Sequence, residues 1–527
     1  MDAHRAIILY DTTLRDGMQR EGMSLSVDEK LHIARRLASL GVHALEGGFP
    51  GSNPKDVEFF RRLENEPMGD TQVSAFGMTR ARGVQIDQDP VLRILADSWA
   101  PVACIVGKTW DLHIEKVLKV GRQENLRMIA ESAAFLRGQG KEVVYDAEHF
   151  FDAWAAHPEY ALQCVRAAAE AGAGTVVLCD TNGATLPDAL APIVRRVVEE
   201  LGDSCRVGIH THNDAGCAVA NSLVAVAQGV THVQGTINGY GERCGNADLC
   251  AVIPALKIKM GLDCVSEENL GRLTDTAHYV AEVCNVSPDP HQPYVGRNAF
   301  AHKGGLHIAG VMADPRTFEH IRPEQVGNTQ HILVSELSGR GTVRRRLQEL
   351  GAGAEGESGL VESLLRRLKQ KEHEGYHYEA ADASLELLLL SELGRPVEFF
   401  RLESFRIIVE KRADGAVMTE ATIKVHVNGD RIIQTAEGNG PVNALDRALR
   451  QAVEKKFPHL ADIHLVNYKV RILDEDRGTA AVTRVLIDSS DGRNSWGSVG
   501  VSDNVVEASW QALIDSINFG LLRTQED

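Results

Sequence analysis

The stretch RVGIHTHND, residues 206–214, places two histidines two positions apart at the end of an apolar run. In a strand, alternate residues share a face, so His210 and His212 would point the same way and could reach one ion. The spacing alone leaves two readings open: metal ligands, or polar residues closing a buried strand. Seven runs of the same texture accompany it: AIILYD (6–11), HALEGGF (43–49), VSAFG (73–77), VACIVG (102–107), EVVYDAE (142–148), TVVLCD (175–180) and HVQGTING (232–239). Helical patterns lie between them, such as VDEKLHIARRLASLG (27–41), PEYALQCVRAAAEAG (158–172) and AGCAVANSLVAVAQG (215–229), several ending in the glycine that commonly stops a helix. Strands alternating with helices imply parallel pairing and right-handed crossovers. Eight such units in about 260 residues match a (β/α)8 TIM barrel in count and length. No Gly-x-Gly-x-x-Gly follows the first run, which weakens the open doubly wound alternative.

The chain has 527 residues, 43% hydrophobic and 24% charged, the composition of a soluble globular protein of several domains. Lys plus Arg number 56 against 73 Asp plus Glu, a net charge of −17 that argues against a nucleic-acid binder. Nine scattered cysteines without a Cys-x-x-Cys suit a reducing cytoplasm. The opening MDAHRAIILYD has no signal-peptide pattern, and no apolar run approaches the ~18 residues of a membrane span, so a cytoplasmic chain is expected.

Beyond residue 286 the texture changes. SPDPHQPYVG (287–296) reads as an exit from the barrel. Residues 338–372 read as helical, split by a flexible GAGAEGESG (351–359). A β-rich portion begins near 398 and holds an internal repeat. VHVNGDRIIQTAEGNG leads into VNALDRALRQAV, and VLIDSSDGRNSWGSVGVS into VVEASWQALIDSI, each turning at Asn-Gly-Asp (428–430) or Asp-Gly (491–492). The expected division is a TIM-barrel catalytic domain over 1–285, helical linker subdomains over 286–395, and a C-terminal α/β regulatory domain with a pseudo-repeat over 396–527.

A (β/α)8 enzyme carries its site where the strands end. The runs end in Asp11-Thr12-Thr13-Leu14-Arg15-Asp16, Glu46, Asp146-Ala147-Glu148-His149, Asp180-Thr181-Asn182, His210-Thr211-His212-Asn213-Asp214 and Gly241-Glu242-Arg243-Cys244-Gly245-Asn246. So many ionisable groups at one rim favour a metal site at His210 and His212. The third ligand should be a carboxylate, with Asp16 and Asp214 the candidates; Asp11, Asp180 and Glu242 could instead brace loops or pair with Arg243. Two imidazoles, a carboxylate and open positions suit Zn, Mn, Co or Mg, and an open position lets the ion polarise a substrate carbonyl.

LYDTTLRDGMQ, IHTHND, GYGERCGNADL and FAHKGGLHIAG, in that order, resemble the 2-isopropylmalate, homocitrate and citramalate synthases. The C-terminal repeat, with its loop GNGPVNAL (438–445), resembles that family's regulatory domain. EGGFPGSNPKD (46–56), GKTWDLHI (107–114), VYDAEHFFD (144–152) and VSELSGR (334–340) look most like a branch of the citramalate synthases, which join acetyl-CoA to pyruvate on a route to isoleucine. The resemblance implies Asp16, His210 and His212 as metal ligands with Asn246 at or near the site. It implies Arg15 on the keto-acid oxygens, Thr181 on its carboxylate, and Glu148 and His307 in acid–base chemistry. It also implies a homodimer whose active site is shared, and feedback by isoleucine or leucine. One departure stands out: Pro315-Arg316-Thr317-Phe318-Glu319 has Phe318 where many relatives carry Tyr.

Other readings are 2-isopropylmalate or homocitrate synthase, hydroxymethylglutaryl-CoA lyase run the other way, and an amino-acid-sensing scaffold without activity. The added C-terminal domain argues against the lyase. The joint presence of Arg15, Asp16, Glu148, His210, His212 and His307 argues against the scaffold.

Overall fold

A computed structural model describes residues 6–302, 305–332, 347, 350, 357–378, 381–473, 481–492 and 494–526. The eight runs form eight parallel strands: β1 (Ile8–Asp11), β2 (Ala44–Glu46), β3 (Gln72–Met78), β4 (Val102–Lys108), β5 (Glu142–Glu148), β6 (Thr175–Asp180), β7 (Arg206–Thr211) and β8 (His232–Gly235). They pair in sequence order, and β8 closes on β1 with Leu9 opposite Val233. The barrel expected from strand count is therefore present. The first, second and last runs are shorter as strands than their sequence suggests, the last ending at Gly235 rather than 239. After Gly235 the chain leaves the sheet, because Thr236 N–H donates to Ala247 and the backbone enters a tight turn over Ile237–Gly239.

Local chemistry places the helices. In Val27–Leu40, Ser26 Oγ accepts from Glu29 N–H while the Glu29 carboxylate accepts from Ser26 N–H, a capping box. Gly41, at φ +85°, ends it. Its Leu31, Ala34, Leu37 and Leu40 are buried against the outer face of the barrel. The alternation within β7 sorts its side chains. Val207 and Ile209 join the outer core between strands and helices, whereas Gly208 lies beside the ring of His232 inside the barrel. A separate inner cluster of Tyr10, Ala44, Cys104, Val144, Val177 and Cys179 fills the barrel below the rim.

The described residues divide into two compact units. One runs to Phe300 and takes in Glu319–Gln330; the other comprises Ala301–Phe318 and the chain from His331 onward. In the second unit, β9 (Ala301–His302) pairs with β10 (His331–Ile332). Its C-terminal part holds two three-stranded antiparallel sheets, β11 (Phe400–Lys411), β12 (Val417–Val427) and β13 (Asp430–Gly438), then β14 (His464–Ile472), β15 (Thr483–Ser490) and β16 (Ser495–Ser502). Helices Pro441–Val453 and Val505–Glu526 follow the two sheets. The repeat is thus three strands and a helix, one strand longer than the hairpin-and-helix motif visible in sequence. Asn428 and Gly429 both have positive φ, +49° and +85°, as a two-residue primed turn requires.

Helix Glu357–His373 supplies the second half of the expected helical stretch. Residues 338–346, the glycine-rich stretch up to 356 and VSELSGR (334–340) lie outside the described residues. Helix Asp382–Glu392 docks on the open edge of β16: Asp382 Oδ1 accepts from Gly497 N–H at 2.8 Å and Ser384 Oγ from Val499 N–H at 2.9 Å. Part of the expected linker therefore covers a sheet edge that would otherwise be left unpaired. Among the described residues, no helix is long and apolar enough to cross a membrane.

Candidate active site

The loop after β1 folds back over the barrel mouth. The Asp11 carboxylate accepts from Thr13 N–H at 2.8 Å and from Thr13 Oγ1 at 2.9 Å, and Thr13 Oγ1 in turn accepts from Ile237 N–H at 2.9 Å. This turn swings Asp16 across to β7. His210 Nε2 lies 3.3 Å and His212 Nε2 3.8 Å from Asp16 Oδ2, and the two Nε2 atoms are 3.2 Å apart. All three side chains are buried. The loop after β8 completes the cluster. Asn246 pairs with His212 as an antiparallel bridge, and its Nδ2 donates to Asp16 Oδ2 at 2.8 Å. Gly245, at φ +88°, permits this: a Cβ there would stand 2.0 Å from the Gly239 carbonyl oxygen.

Three donors bound ~2.0–2.2 Å from one ion at tetrahedral or octahedral angles stand roughly 3–3.5 Å from one another. The Asp16, His210 and His212 atoms nearly meet that condition already, and they form the metal-capable group found among the described residues. Two buried atoms, Asn246 Oδ1 and His212 Nδ1, have no hydrogen-bond partner. The donor set of one carboxylate and two imidazoles, with an amide oxygen alongside, fits a divalent cation.

The electrostatics agree. Burial alone would raise the Asp16 carboxyl, but the Arg15 guanidinium and the His210 hydrogen bond outweigh it and hold it well below the usual range. Burial and the neighbouring His210 push the His212 imidazole down to about 3, so it is neutral, the form that ligates metals. Burial lowers His210 as well, yet the contact with Asp16 raises it overall.

Arg15 is wedged beside the cluster. Its Nε pairs with the fully buried Glu46 carboxylate, its Cζ lies 4.1 Å over the Phe76 ring, and its Nη1 is 3.5 Å from Asp16 Oδ1. Glu148, ending β5, forms an ion pair with Lys108, its register partner at the end of β4. Thr181 Oγ1 accepts from His149 N–H at 2.8 Å, which leaves the hydroxyl proton to be donated.

The competing sequence candidates resolve differently. Asp214 does not join the metal cluster; both its oxygens are taken by Arg243, at 2.8 and 2.9 Å. Asp11 and Asp180 brace loops through Thr13 and Thr185, and Glu242 lies 3.5 Å from Arg243. His307 sits in helix Gly305–Ala313 of the second unit, exposed, its ring stacked 4.3 Å from Phe318. The phenyl ring thus flanks the histidine but offers it no hydroxyl.

Two contributors escaped sequence reasoning, Gln234 and Lys108, while Asp146 was read only as one of the ionisable groups that end a strand. Gln234 gave the clearest signal, an amide in the middle of an otherwise buried strand.

Residues 6–280 match the HMGL-like family, residues 294–375 the homocitrate synthase post-HMGL domain-like family, and residues 379–521 the LeuA allosteric (dimerisation) domain. The (R)-citramalate synthase of Geobacter sulfurreducens is 48% identical over 519 residues, 98% of each chain. That of Streptomyces coelicolor is 51% identical over 517 residues, 98% of this chain and 96% of its own. The chain belongs to the (R)-citramalate synthase family. A 2-isopropylmalate synthase of Dictyoglomus turgidum is more distant, 31% identical over 518 residues. Among solved structures, hydroxymethylglutaryl-CoA lyase of Pseudomonas aeruginosa aligns with a TM-score of 0.46 at 18% identity, covering 55% of this chain and 96% of that one. The chain is accordingly an enzyme of the citramalate synthase type, and its similarity to that family spans barrel, connecting region and C-terminal domain alike.

Proposed function

We propose that this citramalate synthase condenses acetyl-CoA with pyruvate to give (R)-citramalate and CoA, using a divalent cation, on the route to isoleucine. The observation that carries the reading is the convergence of Asp16, His210 and His212 beside Arg15 at the barrel rim, in a chain about half identical to (R)-citramalate synthases over nearly its whole length. A dication held by Asp16, His210 and His212, with Asn246 adjoining, would polarise the keto carbonyl.

The protein groups supply the rest. Arg15, permanently charged, stabilises the alkoxide oxygen as the new carbon–carbon bond forms. Thr181 donates its hydroxyl proton to the keto-acid carboxylate. The acetyl methyl is a weak carbon acid and needs a placed base. His307 takes that proton, and Glu148, held by Lys108, orients or relays it. Hydrolysis of the thioester then frees CoA.

A keto-acid panel with acetyl-CoA, read by a thiol reagent and paired with metal analysis, tests this. Pyruvate should exceed 2-oxoisovalerate by at least ~10-fold in kcat/KM, the discrimination a closed methyl pocket can reach. Preference for 2-oxoisovalerate or 2-oxoglutarate would reassign the chain to 2-isopropylmalate or homocitrate synthesis, and no CoA release with any acid would favour the sensing scaffold. In the same assay His307→Ala should lose turnover while keeping keto-acid and metal binding; near-wild-type kcat would end that assignment.

The match to the LeuA allosteric (dimerisation) domain supports a homodimer with a shared active site and an amino-acid effector, isoleucine before leucine. A cavity of about 700 Å³ in the C-terminal part suits such a ligand. Val442, Leu460, Leu465 and Tyr468 offer apolar walls, and Asp446, Arg450 and Glu454 offer charges of both signs. Isoleucine that shifted neither Tm nor turnover, or a full chain sedimenting as a monomer, would remove the corresponding half of this assignment. Nine free cysteines suit a cytoplasmic setting.

A further inference from the structure

We propose that Gln234, itself held by Asp146, is a positioning residue that presents the Nε2 lone pair of His210 to the bound cation. The inference rests on the divalent-cation reading above. His210 Nδ1 lies 2.9 Å from Gln234 Oε1, and Gln234 Nε2 donates to Asp146 Oδ1 at 3.0 Å. All three side chains are buried, Gln234 completely. They come from three strands, β5, β7 and β8, so the chain of contacts crosses the inside of the barrel.

The polarity of that chain follows from which atoms can donate. An ionised carboxylate only accepts, so Asp146 requires the –NH2 end of the Gln234 amide. The amide oxygen is then turned to His210, and an oxygen can only accept. His210 must therefore carry its proton on Nδ1, which leaves the Nε2 lone pair facing Asp16 and His212. Flipping the amide would set its oxygen against the Asp146 carboxylate and its N–H against the ring N–H. The flip forfeits two buried hydrogen bonds, so Nδ1 keeps its proton and Nε2 is the nitrogen left for the cation. His212 has no equivalent, since its Nδ1 is buried without a hydrogen-bond partner. A glutamine that merely filled the barrel would need neither Asp146 nor this orientation, and an apolar residue would fill the space without a desolvation cost.

The test is competition for Zn²⁺ between metal-free full-length protein and a chromophoric chelator, with thermal melts in parallel. Wild type should bind one ion per chain. Gln234→Met keeps the volume and removes the acceptor, and should weaken Zn²⁺ by ~10–100-fold, the usual effect of losing an orienting partner behind a ligand histidine. Gln234→Glu combined with Asp146→Asn restores an acceptor for Nδ1–H without setting two carboxylates together, and should recover most of the affinity. Asp146→Asn no longer dictates the amide orientation and should fall between the two. Wild-type affinity in a folded Gln234→Met, or equal weakness in Gln234→Met and the Gln234→Glu/Asp146→Asn pair, overturns the inference. If Gln234→Met does not fold, Asp146→Asn decides: unchanged affinity there overturns it. A wild-type protein that binds no Zn²⁺, Mn²⁺ or Co²⁺ would instead sink the metal reading itself.

Discussion

His210→Ala should lose the divalent cation and turnover together. The imidazole is one of three protein donors brought within 3.2–3.8 Å of one another, and the other two cannot close the shell without it. Loss of Lewis-acid polarisation removes several kcal/mol of transition-state stabilisation, so kcat/KM should drop by roughly 10³-fold or more. Metal content per chain and steady-state rates measure both halves. The variant should keep its helical circular dichroism, because the packed inner cluster of Tyr10, Val144 and Val177 does not depend on the ion. Asp16→Asn gives an independent check, since it removes the anionic donor while leaving both rings. A His210→Ala protein with full metal occupancy would show that these residues serve another purpose.

Replacing Arg15 should damage stability as well as catalysis. Its Nε faces Glu46, whose side chain is wholly buried and which also accepts from Tyr10 Oη at 2.6 Å. Arg15→Met strips from that carboxylate its ion-pair partner among the described residues while leaving it inside the protein. Breaking a buried ion pair from one side costs about 3–5 kcal/mol. The retained Tyr10 hydrogen bond places the expected loss at the lower end, about 3 kcal/mol. Turnover should be abolished at the same time, because the alkoxide loses its counter-charge. The double variant Arg15→Met/Glu46→Gln separates the two roles. A neutral amide no longer suffers the unpaired charge, so denaturant midpoints should return most of the way to wild type while activity stays lost. A double variant with substantial turnover would reduce Arg15 to a structural residue; one no more stable than Arg15→Met would mean that Glu46 is not the source of the penalty.

These two expectations draw on different layers of the protein. The barrel was legible because its signals are local: apolar runs ending in turn residues, helix-stopping glycines, and alternation within β7 that puts His210 and His212 on one face. The metal triad was half legible. Two ligands are neighbours in sequence, but the third was left between Asp16 and Asp214. The nearer residue lost, because Arg243 claims both its oxygens; the winner follows β1 at the same rim, at the start of the barrel sequence, where Asn246 reaches it across 230 positions.

The residue run from 6 to 239 contained enough periodicity to dictate eight strands, their order and the rim where the chemistry gathers, since those depend on contacts a few residues apart. Partner choice did not follow from it. Which carboxylate meets the histidines, how Gln234 and Asp146 stand behind His210, why Glu46 is matched to Arg15, and how helix Asp382–Glu392 comes to cover the edge of β16 are all settled by hydrogen bonds between distant segments. Periodicity is silent about such pairs, because barrel closure and desolvation choose among chemically equivalent side chains only once the chain has folded.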